Sequence, residues 1–184
     1  MDLSKTAYVI LGMLRMGKRT GYEIKSLVDV STRFFWAASY GQIYPELKRL
    51  EEAGLIRGQA TETGERRRRE YDLTAAGEEA LDAWITAGPP LHFELRHEGV
   101  LRFFFSDSLS TSERLELVRS IRTEHERARG ELSGIKPGAE DAEAGDSAPL
   151  AVLQWGIAYQ DFIIDWCSET ERRLAEQTPS GQRS

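Results

Sequence analysis

The chain has 184 residues, 40% of them hydrophobic and 29% charged, enough for one domain or two small ones without covalent staples. A net charge of −6 argues against a general polyanion binder, and the single cysteine, Cys167, excludes a disulfide framework within the chain. The longest apolar run is too short to span a bilayer, and the start MDLSKTAYVILGML lacks the cleavage-like site of a signal peptide, so a cytoplasmic protein is expected. Charge is uneven along the chain. Residues 1–90 hold 13 Lys and Arg against 13 Asp and Glu, residues 91–184 hold 11 against 17, so any nucleic-acid contact belongs to the first half.

Leu3, Ala7, Ile10 and Leu14 recur at helical spacing, and Gly17 ends that helix. Thr20 with Glu23 opens a second helix as a capping box, with Tyr22, Ile24, Leu27 and Val28 as its apolar side. Ser39 with Gln42 opens a third, whose inner stripe is Ile43, Leu47 and Leu50 and whose end is Gly54. Its start, SYGQIYPEL, is an unusual one. Pro45 lacks the N–H that would bond back to Gly41, so a bend or a missing bond is expected near Gly41–Pro45.

From Leu55 the period changes. Leu55 to Thr61 reads as a strand, ETGE as a turn, and Arg67 to Leu73 as a second strand with Tyr71 and Leu73 on one face. TAAGEEALDAWITAG follows as a helix with Leu81, Trp84 and Ile85 turned inward, and Pro89–Pro90 marks a domain boundary.

The second half reads as helical. LHFELRHEGVLRFFFSD is expected as one helix, and Ser110 with Glu113 caps a longer one carrying the stripe Leu115, Val118, Ile121, His125, Ala128 and Leu132. Residues 136–149 read as a flexible acidic loop, LAVLQWGIAYQDFIIDWCSETERRL as the last helix, and residues 177–184 as a tail. The fold class is therefore mainly α with a small β-hairpin: a winged helix-turn-helix domain over residues 1–88 and an α-helical dimerisation domain over residues 91–176.

In a winged helix-turn-helix the third helix enters the major groove and the hairpin, the wing, contacts flanking backbone. Arg66, Arg67, Arg68 and Arg69 follow the wing turn, and strand alternation sends Arg66 and Arg68 to the face opposite Tyr71 and Leu73, in reach of phosphates. On the third helix, Gln42 can pair bidentately with adenine, while Tyr40 and Tyr44 can reach phosphate, sugar or a thymine methyl. Lys48, one turn on, can reach the backbone, and Ser39 starts the helix. Taken singly, the arginines read as a solvated turn and the tyrosines as half-buried against the second helix. In this order together they favour DNA binding over the alternative, a winged-helix protein-interaction module without DNA binding.

The strings AYVILGMLRMGKRTGYEIK, FFWAASYGQIYPELKRLEEAGLI and RRREYDLTAAGEEALDAW resemble the PadR family of bacterial transcriptional regulators, densely over residues 3–86. Gly41 to Ile56 carries that family's hallmark string unbroken. The resemblance implies a homodimer joined through the C-terminal helices, often with the first helix. It also implies operator binding through the third helix and wing, usually as a repressor, and in some members release by a small aromatic molecule held between the domains.

The residues support a dimer as well. Trp155, Tyr159, Phe162 and Trp166 follow i, i+4, i+7, i+11 spacing, and Leu153, Ile157 and Ile164 widen that apolar side. Trp84, Phe93, Phe104 and Trp155 could line a pocket for a flat effector, against the blander reading of core and dimer packing. His92 and His97 are spaced poorly for one helix face, and His125 lies on an apolar stripe, so no metal site is expected. Cys167 has bulky apolar neighbours and reads as inert. No phosphate loop, cofactor motif or catalytic triad is recognisable, so the chain is not read as an enzyme.

Overall fold

The computed structural model describes residues 3–63, 66–91, 93–142 and 147–176. The chain divides into two compact units, Met1–His92 and Phe93–Ser184, with the break just past the two prolines that mark it in the sequence.

The first unit runs α1 (Lys5–Arg15), α2 (Gly21–Val30), a short 3-10 turn (Thr32–Phe34), α3 (Tyr40–Glu52), β1 (Ile56–Thr63), β2 (Arg66–Leu73) and α4 (Ala75–Ala87). Both early helices stop where glycine permits a left-handed backbone: Gly17 has φ 83° after α1 and Gly54 has φ 72° after α3. In each case the two following N–H groups turn back to the last turn. Gly17 and Lys18 donate to Leu14 and Met13, and Gly54 and Leu55 donate to Glu51 and Leu50. Thr20 and Glu23 form the expected reciprocal box.

β1 and β2 pair antiparallel, Ile56 opposite Leu73 and Thr63 opposite Arg66. The strands therefore reach further toward the turn than the sequence suggested. The core holds Ala7, Ile10, Leu11 and Leu14 of α1, Ile24 and Val28 of α2, Ile43, Leu47 and Leu50 of α3, with Ile56, Tyr71 and Leu81. Two expected core residues are corrected: Tyr22 and Ile85 are exposed. Tyr22 points away from Gly21, Ile24 and Val28, the residues that α2 buries, and Ile85 lies in the last turn of α4, one turn past Leu81, where the buried side of that helix ends. Thr74 welds α4 to the sheet. Its hydroxyl donates to the Gly54 and Leu55 carbonyls and accepts from the Gly77 N–H. A Cβ on Gly77 would lie 2.1 Å from the Leu55 carbonyl oxygen, so this close approach admits glycine alone.

The second unit comprises α5 (Glu98–Phe104), a 3-10 turn (Ser106–Ser108), α6 (Thr111–Ala142) and α7 (Ala148–Glu176). α5 is shorter than the helix read from the sequence. Residues 93–97 are not helical, and His97 caps the helix by accepting the Val100 N–H on Nδ1 at 3.2 Å. The expected loop over residues 136–149 is also corrected: α6 continues through Ala142 and α7 begins at Ala148, while residues 143–146 lie outside the described residues. The tail, residues 177–184, lies outside them too.

α6 and α7 pack antiparallel, since contacts pair Arg119 with Glu171, His125 with Gln160, and Arg129 with Asp161. Val118, Ile121, Ile163, Cys167 and Leu174 form the core between them. Burial pushes the Cys167 thiol up to about 11, with Glu171 adding to the effect, so the thiolate is scarce at neutral pH. Among the described residues no helix is long and apolar enough to cross a membrane.

A polar chain crosses this unit. A backbone N–H always donates, so the capping Nδ1 of His97 carries no proton and Nε2 does. That Nε2–H donates to His125 Nε2 at 2.8 Å, and His125 Nδ1–H donates to Gln160 Oε1 at 2.5 Å. A second proton on either ring breaks one of these bonds.

Two tests follow from this packing. Gly77→Ala is expected to destabilise the first unit by on the order of 2 kcal/mol by forcing backbone apart, read as a lowered thermal midpoint. Desolvation, and then the neighbouring His125, hold the His97 pKa below its ordinary 6.5. The folded state therefore binds fewer protons than the unfolded one in that range. Stability should be full above about pH 6.5 and fall as pH drops toward the folded pKa. Thermal melts between pH 5 and 8 should show that fall, and His97→Asn, which can still cap, should flatten it.

Candidate nucleic-acid interface

α3 presents two unlike sides. Ile43, Leu47 and Leu50 are fully buried, whereas Tyr40, Gly41, Gln42, Tyr44, Pro45 and Lys48 are exposed. Tyr40, Tyr44 and Lys48 follow i, i+4, i+8 spacing and so form one outward row. The two tyrosine rings stack at 6.0 Å, and the Lys25 ammonium lies 5.4 Å over Tyr40. Tyr44 also leans on α2: a Cβ on Gly21 would lie 2.8 Å from its ring. Lys48 is 79% exposed and 3.7 Å from Glu52.

Pro45 sits inside the helix, which continues across it from Tyr40 to Glu52. The missing bond to Gly41 is inherent to proline, and no break in the helix accompanies it. Gly41 has no left-handed φ, and a Cβ there would meet nothing closer than the Ser39 hydroxyl at 3.8 Å.

Gln42 departs from the sequence reading. Its Oε1 accepts from the Ser39 N–H at 2.9 Å and the Ser39 hydroxyl at 3.2 Å. Bidentate pairing with adenine needs both the amide oxygen and the NH2 group. With the oxygen held by the cap, the side chain offers its NH2 donors.

Glu46 was not singled out from the sequence. It is a 7% exposed carboxylate beside the apolar stripe, accepting from the Ser4 hydroxyl at 2.8 Å and Arg49 at 3.1 Å. Ser4 in turn accepts the Ala7 N–H, so one hydroxyl caps α1 and ties it to α3. The signal was available: position 46 lies three residues after Ile43 and four before Leu50.

On the wing, the backbone of Arg66, Arg67 and Arg68 pairs with that of Thr63, Glu62 and Thr61. Their side chains lie outside the described residues. Arg69 is different. It shares strand parity with Tyr71 and Leu73, and its guanidinium is bound to the Glu51 carboxylate of α3 at 2.5 Å and lies 5.9 Å over the Tyr71 ring. Glu51 also accepts the Gly58 N–H at 3.1 Å. No sequence motif marks Glu51 or Gly58, although strand parity separates Arg69 from Arg66 and Arg68.

The aromatic row of α7 is split. Trp155 is 51% and Phe162 65% exposed, while Tyr159 packs between Trp155 and His125, and Trp166 meets Phe103 edge-on at 5.7 Å. Leu153 and Ile157 are half-buried. The physical reason is angular. Gly156, Gln160, Ile163, Cys167 and Leu174 define the buried face, and the aromatic row lies roughly a quarter-turn from it. Of the candidate effector residues, Trp84 stacks on Tyr8 at 4.5 Å within the first unit, whereas Phe93, Phe104 and Trp155 are exposed in the second. His92 lies outside the described residues.

Comparison with known proteins bears on this arrangement. Residues 10–83 match the transcriptional regulator PadR-like family, and residues 95–175 match the family described as virulence activator alpha C-term. The negative transcriptional regulator PadR of Bacillus subtilis is 33% identical over 128 residues, covering 69% of this chain and 70% of that protein. The crystal structure of Bacillus subtilis PadR with operator DNA superposes with a TM-score of 0.83 at 27% identity, covering 94% of this chain and 99% of that one. The same protein with p-coumaric acid gives a TM-score of 0.73 at 27% identity, covering 91% and 97%. Fold, family match and sequence identity agree: the chain belongs to the PadR-like family of transcriptional regulators, which are DNA-binding regulators rather than enzymes.

Proposed function

We propose that the protein is a cytoplasmic homodimeric repressor that grips operator DNA with the tip of α3 and the wing, and releases it when a small aromatic molecule binds. The observation that carries the DNA reading is the exposed row Tyr40, Tyr44 and Lys48 beside Gly41. No neighbour among the described residues requires a glycine there, and glycine in a helix interior costs roughly 1 kcal/mol against alanine. A groove wall approaching from outside gives the thin spot a reason. Ser39, Tyr40, Gln42 (through its NH2 group), Tyr44 and Lys48 are the proposed contacts of α3, and Arg66, Arg67 and Arg68 those of the wing.

Dimerisation is supported by the apolar surface α7 leaves uncovered, Trp155 and Phe162 above all, with Leu153 and Ile157 alongside and Tyr159 and Trp166 behind them. A twofold dimer presents two recognition helices to a palindromic site. Similarity to a repressor solved with p-coumaric acid supports a phenolic-acid effector, with Phe93, Phe104 and Trp155 of the second unit as aromatic candidates for holding it, since Trp84 is engaged with Tyr8 in the first. Release would be a population shift: the effector favours a dimer whose recognition helices no longer match the half-site spacing.

Fluorescence anisotropy tests the reading, using a duplex from upstream of the protein's own gene and a random duplex of equal length. Tighter binding to the first is expected, with release by p-coumaric acid. Equally weak binding to both at every salt concentration would favour a protein-interaction module instead. Replacing Arg66, Arg67 and Arg68 with alanine should weaken binding to all sequences and flatten the salt dependence by about 0.9 in log–log slope per lost phosphate contact. Trp155→Ser with Phe162→Ser should shift the sedimentation of the free protein toward monomer while leaving its helical content intact.

A further inference from the structure

α3 and the wing must meet DNA together, so the angle between them matters as much as either alone. A two-stranded hairpin is marginal in isolation, and its direction is set by what holds its base. A clasp of four residues, Glu51, Gly58, Arg69 and Tyr71, links α3 to the wing. Glu51 extends the row Tyr40, Tyr44, Lys48 by three residues, to i+11, and so ends the side of α3 that carries the proposed contacts. Its Oε1 accepts from the Gly58 N–H on β1 at 3.1 Å and from Arg69 on β2 at 2.5 Å, with Arg69 lying over Tyr71, the register partner of Gly58. One carboxylate thus holds both strands of the wing to the recognition helix.

Gly58 makes this approach feasible. A Cβ there would lie 2.6 Å from Arg69 Nε, 2.7 Å from Glu51 Oε1 and 3.0 Å from the Tyr71 ring. Its φ is not in the left-handed region, so the glycine answers to space rather than to backbone conformation. An arginine neutralised by a carboxylate in contact also adds little to the field that phosphates meet.

We infer that Glu51, Gly58 and Arg69 are positioning residues that set the wing against the recognition helix, and that Arg69 is not one of the phosphate contacts of the arginine run. This rests on α3 and the wing being the DNA-binding surface.

The variants Glu51→Gln, Arg69→Ala, their double, and Gly58→Ala separate the possibilities, measured against the upstream and random duplexes over a salt series. Gly58→Ala is the most informative, since it pries the clasp open without changing any charge. Each single variant should weaken binding to the upstream duplex by about tenfold, within the range for residues sharing one hydrogen-bonded network, and the double should be no worse than either single. The preference over random duplex should fall, the Arg69→Ala salt slope should match the wild type, and thermal midpoints should stay near it. A slope shallower by about 0.9 in Arg69→Ala would make Arg69 a phosphate contact and overturn the inference. So would tighter binding by Glu51→Gln, the result expected if Glu51 merely withholds Arg69 from DNA, or unchanged affinity in Gly58→Ala. Hydrogen exchange of the Gly58 amide in the free protein, expected to quicken in Glu51→Gln, tests the clasp without DNA. It therefore distinguishes a failed clasp from a failed DNA-binding reading, in which the wild type shows no preference for either duplex.

Discussion

Burying one side of α3 fixes nearly everything else in the first unit. Ile43, Leu47 and Leu50 are sealed against α1, α2 and the sheet, each contributing roughly 2 kcal/mol of transfer free energy. A helix rotated to bury those three positions has no freedom left for the rest. Tyr40, Tyr44 and Lys48 are carried outward, and Glu51 is brought to the hairpin. The proposed reading surface is the complement of the core stripe. Glu46 lies at the border between the two, where its charge is met by the Ser4 hydroxyl and Arg49, so α1 and α3 are joined by polar contacts as well as apolar ones.

The second unit solves a different problem. Its two long helices pack through a narrow apolar seam, and a polar chain from His97 through His125 to Gln160 runs beside that seam. Each member is satisfied in one tautomer arrangement, which makes the chain specific and sensitive to protonation. What the seam does not cover is as informative as what it does. Trp155 and Phe162 stand out on one side of α7, and they are the surface assigned to the second copy in the proposed dimer.

Much of this was legible in the residues. Helix periods, the boxes at Thr20 and Ser110, the glycine stops and the order of helices and strands gave the winged-helix topology and the inner stripe of α3. Legibility failed where a side chain has two uses. Gln42 reads as a base-contacting amide, yet its oxygen is held by Ser39. Arg69 reads as one of four equal arginines, yet the alternation of the strand and the position of Glu51 set it apart. The aromatic row of α7 reads as one face, yet the helix divides it at the edge of its buried arc. The composition of residues 136–149 reads as loop, yet the helical backbone runs on to Ala142.

Periodicity, caps and the string from Gly41 to Ile56 are local in the chain, so the order of elements and the family can be read from the residues, while the extents of α5 and α6 cannot. Tertiary structure alone decided which polar groups are already engaged. Glu51 reaches Gly58 seven residues away and Arg69 eighteen away, Ser4 reaches Glu46 forty-two away, and His125 reaches Gln160 thirty-five away. No spacing rule encodes such partners. They exist because burial of apolar stripes brings distant segments together, and a polar atom at that border must find its partner within about 3 Å.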